Sequence, residues 1–334
     1  MIFPLRLCLS LTRHIALNGL QGRRRYPLVL MLEPLFHCNL SCAGCGRVRE
    51  AREIGFRMLT AEDCLAAARE AGAPVVSVTG GEPLLHPEIG EIVRGLEGQR
   101  RFINLCTNGI LLERSLHKFK PGPYLGFVVH LDGLAEKHDR IVGRQGVFEQ
   151  AVASIQAAKR AGFQVRTNTT VFKGSDPREV RELFELLDGL GVDGMMVAPG
   201  FSYEAVEEGL FLARSEVESL FSRLNQDAGR FRFYNTPVYR QFLAGQRGLQ
   251  CTPWSTPTRN PKGWKSPCYL ISDGYKDSFE ALMNETPWER YGVGRDPRCA
   301  NCMVHSGFEA SAVEATLKSW QDIVRTVRWF ALTR

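Results

Sequence analysis

The stretch Glu33-Pro34-Leu35-Phe36-His37-Cys38-Asn39-Leu40-Ser41-Cys42-Ala43-Gly44-Cys45-Gly46 constrains this chain more than any other. It sets Cys38, Cys42 and Cys45 in a C-x3-C-x2-C pattern directly after an apolar run. Three thiols in one short loop point to a metal site. A four-iron cluster takes four thiolates, so a loop that offers three leaves one iron open to an outside ligand. Zinc is the competing reading, but structural zinc closes with four ligands, often as paired C-x2-C knuckles. No further Cys or His is spaced to complete such a set, and His37, directly before Cys38, is badly placed for it.

The chain has 334 residues, enough for one α/β barrel plus an appendage. A hydrophobic content of 44% supports a large core. Seven of its ten cysteines group at 38–45 and 251–302, which reads as metal ligation in a reducing cytoplasm rather than a secreted disulfide framework. A net charge of +6 without lysine blocks argues against a nucleic-acid binder. Met1–Leu20 is apolar and helix-compatible, but Arg6, Arg13 and His14 interrupt it, and a span needs about 20 clean apolar residues. No small-residue cleavage site follows it, so a signal peptide is not expected. Residues 1–25 are therefore expected to form an amphipathic segment ending in Arg23-Arg24-Arg25, which either packs on the protein's own barrel or lies in the cytoplasmic membrane's inner interface.

From Leu28 onward, apolar runs at 28–33, 75–79, 102–107, 127–131, 165–171 and 192–198 alternate with helical patterns at 60–72, 87–98, 110–119, 146–161 and 177–190. Six strand-helix units predict an α/β fold with a parallel sheet, an open (βα)6 TIM-like partial barrel over 26–200. Chemistry in such barrels collects at the carboxyl ends of the strands. The second strand ends Thr79-Gly80-Gly81-Glu82-Pro83, where glycines let backbone approach a ligand and a carboxylate can pair with an ammonium. The third carries Cys106 before Thr107-Asn108-Gly109, the fourth ends His130-Leu131-Asp132-Gly133, and the fifth offers Asn168 and Thr170. Buried free cysteines such as Cys8 and Cys64 are usually inert small hydrophobes, and Cys106 alone would be read the same way.

After about residue 200 the rhythm stops. A helix-like stretch at 204–227 leads into a loop-rich region from Pro237 to Pro267. Cys251, Cys268, Cys299 and Cys302 supply four ligands for an auxiliary metal, a second iron-sulfur cluster or zinc, that would staple the extension 201–334.

The cysteine loop and Gly80-Gly81-Glu82-Pro83 together resemble the radical S-adenosylmethionine (SAM) superfamily. The resemblance implies a 4Fe-4S cluster on Cys38, Cys42 and Cys45 that chelates SAM and cleaves it reductively to a 5'-deoxyadenosyl radical. It also implies that Gly80, Gly81, Glu82 and Pro83 bind the SAM amino group, Asp132 the ribose with Asn168 and Thr170 as similar candidates, and Val197, Ala198 and Pro199 the adenine. Many relatives carry an aromatic residue where Gly44 stands, so adenine packing must come from elsewhere here. Further phrases, from Arg25 to Phe36, Cys251 through Trp264, Pro267-Cys268-Tyr269-Leu270 and Cys299-Ala300-Asn301-Cys302-Met303-Val304-His305, resemble the adenosylhopane synthase family of hopanoid biosynthesis. One position departs, because Ser306 stands where a cysteine is expected. This finer resemblance implies a transferase of lipid biosynthesis that adds the adenosyl radical to the terminal alkene of the apolar triterpene diploptene, with Cys106 as catalytic hydrogen-atom donor and flavodoxin or ferredoxin as electron donor. The alternatives are a radical SAM peptide-modifying maturase with an auxiliary cluster and, in another class, a non-catalytic iron-sulfur or zinc scaffold or electron carrier.

Overall fold

The computed structural model describes residues 5–47, 55–201 and 209–332; Met1–Pro4 of the amphipathic segment and residues 204–208 of the expected helix lie outside them. Six parallel strands form as the alternation predicts: β1 (Val29–Leu32), β2 (Val75–Val78), β3 (Phe102–Thr107), β4 (Leu125–His130), β5 (Gln164–Val171) and β6 (Gly194–Pro199). Their order in the sheet is sequential, β6-β5-β4-β3-β2-β1, as successive strand-helix units wound in one sense require.

The period-two pleat sorts the side chains. Leu30 and Leu32 on β1, Val76 and Val78 on β2, and Ile103 and Leu105 on β3 point outward and are buried in the main hydrophobic core. There they meet the helices Ala61–Ala71 and Ile89–Gly98. The alternate residues Met31, Ser77, Asn104 and Cys106 face the barrel interior, where they line cavities. Helix Ala61–Ala71 starts at a capping box, with the Thr60 hydroxyl accepting from Asp63 N and the Asp63 carboxylate accepting from Thr60 N, and it stops at Gly72 at φ 63°. Two helical expectations change. The pattern at 110–119 folds as a single turn, Leu112–Ser115, followed by a 3₁₀ turn, Leu116–Lys118, and the helix Ala135–Val142 has no counterpart in the sequence reading.

The region after 200 holds more regular structure than its composition suggests. Helices Arg214–Leu224, Pro237–Leu243, Phe279–Glu285, His305–Leu317 and Trp320–Leu332 are joined by three strands, β7 (Thr258–Asn260), β8 (Gly263–Pro267) and β9 (Ser272–Lys276). Strand β7 pairs parallel to β1, Met31 opposite Thr258, and β8 and β9 continue the sheet antiparallel, giving nine strands in one sheet. The segment Thr258-Arg259-Asn260 carries no apolar run, so its strand character comes from pairing with β1 rather than from its own pattern.

Helix Leu5–Leu20 settles one side of the question about the amphipathic start: its inward face packs on the barrel. Leu7 and Leu11 line a cavity together with Leu28 and Val75, and His14 Nε2 lies 2.9 Å from Pro27 O.

Candidate functional site

Cys38, Cys42 and Cys45 all line one cavity of about 310 Å³ at the carboxyl end of the strands. Apolar packing holds the loop, because Cys38 and Cys42 rest against Leu40, Ile110, Val142 and Val147. Asn108 Nδ2 donates to Asn39 Oδ1 at 2.7 Å, which ties the loop to the end of β3. Burial pushes the Cys38 thiol up to about 11 and raises Cys42 as well, so these groups keep their protons until a metal displaces them.

The turn after β2 docks directly on the backbone of this loop. Gly81 N donates to Leu35 O and Glu82 N to His37 O, both at 2.9 Å. A Cβ on Gly80 would come within 2.3 Å of Leu35 O, and one on Gly81 within 2.0 Å of His37 O, so both glycines are required by close approach. The Glu82 carboxylate is buried and accepts from Leu84 N at 3.1 Å, Thr107 Oγ1 at 2.9 Å and Asn108 N at 2.9 Å. Burial raises its pKa to about 7 against those hydrogen bonds. Gly80, Gly81 and Glu82 line the cavity, whereas Pro83 is buried in the first position of the 3₁₀ turn Pro83–Leu85 and serves the shape of the turn.

Asp132 lines the cavity with His130, Asn168 and Thr170. Its Oδ2 lies 2.7 Å from His130 Nε2, and its Oδ1 accepts from Thr170 N at 2.7 Å. Burial alone would lower His130, but the charge and hydrogen bond of Asp132 outweigh it and leave the imidazole pKa raised. His130 belongs to the site although only its neighbour Asp132 was singled out from sequence. Asn168 Oδ1 is buried without a hydrogen-bond partner, on a residue that lines the cavity. On β6 the pleat puts Ala198 and Pro199 on the cavity but turns Val197 into the core, where its backbone N donates to Asn235 Oδ1 at 2.8 Å; Met196 takes the inward place expected of Val197.

The missing aromatic at position 44 has a structural substitute. A Cβ on Gly44 would fall 2.9 Å from Phe172 Cε1, and one on Gly200 equally close, so the ring of Phe172 occupies the space between the two glycines and lines the cavity. The signal was a phenylalanine at the end of β5, but nothing in a single sequence ties it to Gly44.

Cys106 points into the same cavity, its Sγ 3.5 Å from Ser77 Oγ, and burial pushes its thiol up to about 11. By contrast Cys64 is fully buried among core residues, as an inert thiol should be. A second cavity of about 250 Å³ is walled by Leu7, Leu11, Leu28, Val29 and Val313. The two cavities share Met31, Ser77, Asn104, Met196 and His305 as lining residues, so they meet through the barrel. Two half-buried titratable side chains face the lower space. His305 has Nδ1 unpartnered and its pKa pushed down to about 4 by burial, so the ring is neutral. Glu309 accepts from Thr236 N at 2.7 Å and is raised by burial to about 7.

The four C-terminal cysteines, separated by up to fifty-one positions, converge. Cys251, Cys268, Cys299 and Cys302 line one small void of about 30 Å³, with Ser306 and Gly307 beside them. A Cβ on Gly307 would come within 2.9 Å of Cys251 Sγ. The extension is joined to the cysteine loop by Arg47, whose Nε donates to buried Glu33 at 2.5 Å and whose guanidinium lies 5.0 Å from the Tyr269 ring centroid. Asn260 Nδ2 donates to the other Glu33 oxygen at 3.2 Å. Neither Glu33 nor Arg47 stood out in the sequence as a pair.

Three thiols at the mouth of a parallel barrel, a glycine turn locked to their loop and a polar ring at the strand ends define a radical SAM site. Residues 32–187 match the radical SAM superfamily, and residues 195–326 match a domain of unknown function, DUF3463. A GTP 3',8-cyclase of Microcystis aeruginosa is 32% identical over 279 residues, 76% of this chain and 84% of that one. An AdoMet-dependent heme synthase of Methanosarcina barkeri is 33% identical over 171 residues, 49% of this chain, and there the chain spans about half (48%) of the relative's length. Among solved structures, Streptococcus suis SuiB bound to S-adenosylmethionine has a TM-score of 0.61 at 15% identity, covering 92% of this chain and 76% of that one. The enzyme anSMEcpe with bound AdoMet and a peptide has a TM-score of 0.62 at 16% identity, covering 91% and 98%. The chain belongs to the radical SAM superfamily; it is an enzyme that uses a 4Fe-4S cluster and SAM.

Proposed function

We propose that this enzyme is an adenosyltransferase of the adenosylhopane synthase kind, which joins the 5'-deoxyadenosyl group to the terminal alkene of a hopene such as diploptene. The observation that carries the reading is the apolar cavity walled by Leu7, Leu11, Leu28 and Val313, which shares Met31, Ser77, Asn104, Met196 and His305 with the cavity that Cys106 lines. A long apolar substrate held there can present one end to the upper space.

The donor set fits the cofactors. Cys38, Cys42 and Cys45 hold the cluster, Gly80, Gly81 and Glu82 shape the SAM amino end, Asp132, Asn168 and Thr170 face the ribose, and Phe172 with Ala198 and Pro199 packs the adenine. Bound together, cluster and SAM supply a 5'-deoxyadenosyl radical on one-electron reduction by a donor such as flavodoxin or ferredoxin. Addition to the terminal carbon of an isopropenyl group forms a C–C bond and leaves the unpaired electron on the tertiary carbon. Cys106 gives its thiol hydrogen atom to that carbon, and the resulting thiyl returns to the thiol by taking one electron and one proton from the donor and solvent. The raised pKa of Cys106 keeps it in the S–H form that this step requires. Ser77, 3.5 Å away, orients the sulfur. The four C-terminal thiols, brought to one void, would hold an auxiliary metal, a second iron-sulfur cluster or zinc.

A second reading is a peptide-modifying maturase. It draws support from the likeness in fold to a structure solved with a peptide bound, over 91% of this chain, and none of the relatives named above is a hopanoid enzyme. On the comparisons alone it is the better supported of the two, while the apolar cavity favours the alkene. Anaerobic reconstitution with SAM, reductant and diploptene, read by mass spectrometry, tests the proposal: a hopene-plus-adenosyl product is expected, and SAM cleavage to 5'-deoxyadenosine without it would overturn the reading.

A further inference from the structure

Helix Leu5–Leu20 is apolar on two sides. Its inward residues Leu7 and Leu11 wall the lower cavity. On the opposite side Leu5 (59% exposed), Leu9 (61%) and Leu20 (87%) follow one another at i, i+4 and i+15, with exposed Ala16 between them, so that they form one stripe. A large solvent-facing leucine stripe has no role in a helix that merely covers a barrel. Arg6 and Arg13, both exposed, flank the stripe, and Arg23 and Arg24 follow the helix. No Asp or Glu occurs before Glu33. The last helix, Trp320–Leu332, walls the same cavity with Thr326 and Phe330. It too exposes an apolar line: Trp320 (76%), Val327 (54%) and Ala331 lie at i, i+7 and i+11, beside exposed Arg325 and Arg328.

We infer that these two helices dock the enzyme on an anionic lipid bilayer, with the mouth of the apolar cavity turned to the acyl layer. Among the described residues no helix is long and apolar enough to cross a membrane, so the contact is peripheral. Leucines and tryptophan enter the headgroup-acyl boundary while the arginines meet anionic headgroups: Arg6, Arg13, Arg23 and Arg24 have no acidic residue near them in sequence, and on the last helix Arg328 lies beside Arg325, which pairs with Asp322 at 2.9 Å. The combination selects a bilayer over an apolar protein partner, because an apolar line bordered by arginines on both helices suits a surface that is apolar below and anionic above. The geometry also gives the lower cavity a source: a molecule dissolved in the acyl layer reaches it between the two helices without crossing water. This step rests on the alkene reading, whereas the docking itself does not.

Flotation of the full chain with phosphatidylcholine vesicles, with and without phosphatidylglycerol, tests it. The enzyme is expected to float with the anionic vesicles and to be released by salt. Arg6→Gln with Arg13→Gln should lower the partition coefficient about 25-fold, roughly fivefold per arginine. Leu9→Ser with Leu20→Ser should lower it at least tenfold. Trp320→Ser with Val327→Ser gives the same readout from the other helix, should the first pair perturb folding. None of these residues lines either cavity, so SAM cleavage in detergent should be unchanged. Flotation needs no turnover, so a failed hopene assay leaves this result standing, and failed flotation leaves the hopene assay standing. The inference falls if the native chain stays unbound on anionic vesicles, or if all three variants float as the native chain does. It falls equally if the leucine pair converts a dimer into a monomer while vesicles are ignored, which would make the face a contact between copies.

Discussion

Replacing Gly81 with alanine should uncouple the SAM turn from the cluster loop. The added Cβ would sit 2.0 Å from His37 O and 2.5 Å from both His37 C and Phe36 O, all of them backbone atoms that cannot rotate away. Ordinary carbon-oxygen contact begins well beyond 3 Å, so one of the two segments must move by about 1 Å, and the hydrogen bonds Gly81 N to Leu35 O and Glu82 N to His37 O lengthen with it. Overpacking of this kind costs about 1–3 kcal/mol of stability. The functional cost is larger, because His37 precedes Cys38 and a displacement of about 1 Å in a reacting constellation lowers rate about 100-fold. Gly98→Ala is the control: a Cβ there meets nothing within 4 Å, at the end of helix Ile89–Gly98, and should be neutral or slightly stabilising. Anaerobic release of 5'-deoxyadenosine, iron content per chain and the melting temperature are the measurements. A Gly81→Ala protein that cleaves SAM at the native rate would refute the argument that turn and loop are held in one register by close packing.

Cys106→Ala should still cleave SAM and form the carbon-carbon bond, but the new tertiary centre should appear as a mixture of epimers or as products of an unquenched radical. An unchanged single stereoisomer at an unchanged rate would make Cys106 a packing residue. Glu309→Gln should flatten the dependence of stability on pH: burial raises the folded pKa from 4.5 to about 7, so the folded state holds the proton more tightly and stability falls as pH rises from about 4.5 through about 7. The shift caps this loss at about 3 kcal/mol, and denaturant midpoints across pH 4 to 8 should show it in the native chain and not in the variant; equal slopes would show that Glu309 ionises freely.

The barrel was legible where a strand is buried on both faces and so reads as an apolar run. Val75-Val76-Ser77-Val78 and Leu125–Val129 announce themselves in this way. The cysteine loop and the glycine turn were legible for a different reason: their chemistry needs particular residues at fixed spacing, and both elements lie within 50 positions of one another. On β6 the expectation came from the superfamily resemblance rather than from a strand register, and it named three consecutive residues, Val197, Ala198 and Pro199. A pleated strand does not turn Val197 and Ala198 to the same face, so Ala198 lines the cavity while Val197 enters the core and Met196 takes the inward place.

What stayed hidden depends on pairing between distant segments. Strand β7 has the composition of a loop and becomes a strand because β1 offers an unpaired edge at Met31 and Leu32. Without it that edge would expose the backbone donors and acceptors of the strand that carries the cysteine loop. The same closure explains Glu33 and Arg47: Glu33 ends β1 buried at 0% exposure, and it is tolerable there because Arg47 neutralises it and Asn260, at the end of β7, donates to its second oxygen. The extension therefore does more than carry four cysteines. It completes the edge of the barrel at the strand from which the cluster loop departs, and it brings His305 and Ser306 to the junction of the two cavities and the four-thiol void. A change in the extension can thus reach the SAM site through β1 and Glu33, a route that depends on contacts spanning 227 positions in the chain and so leaves no local trace in the sequence.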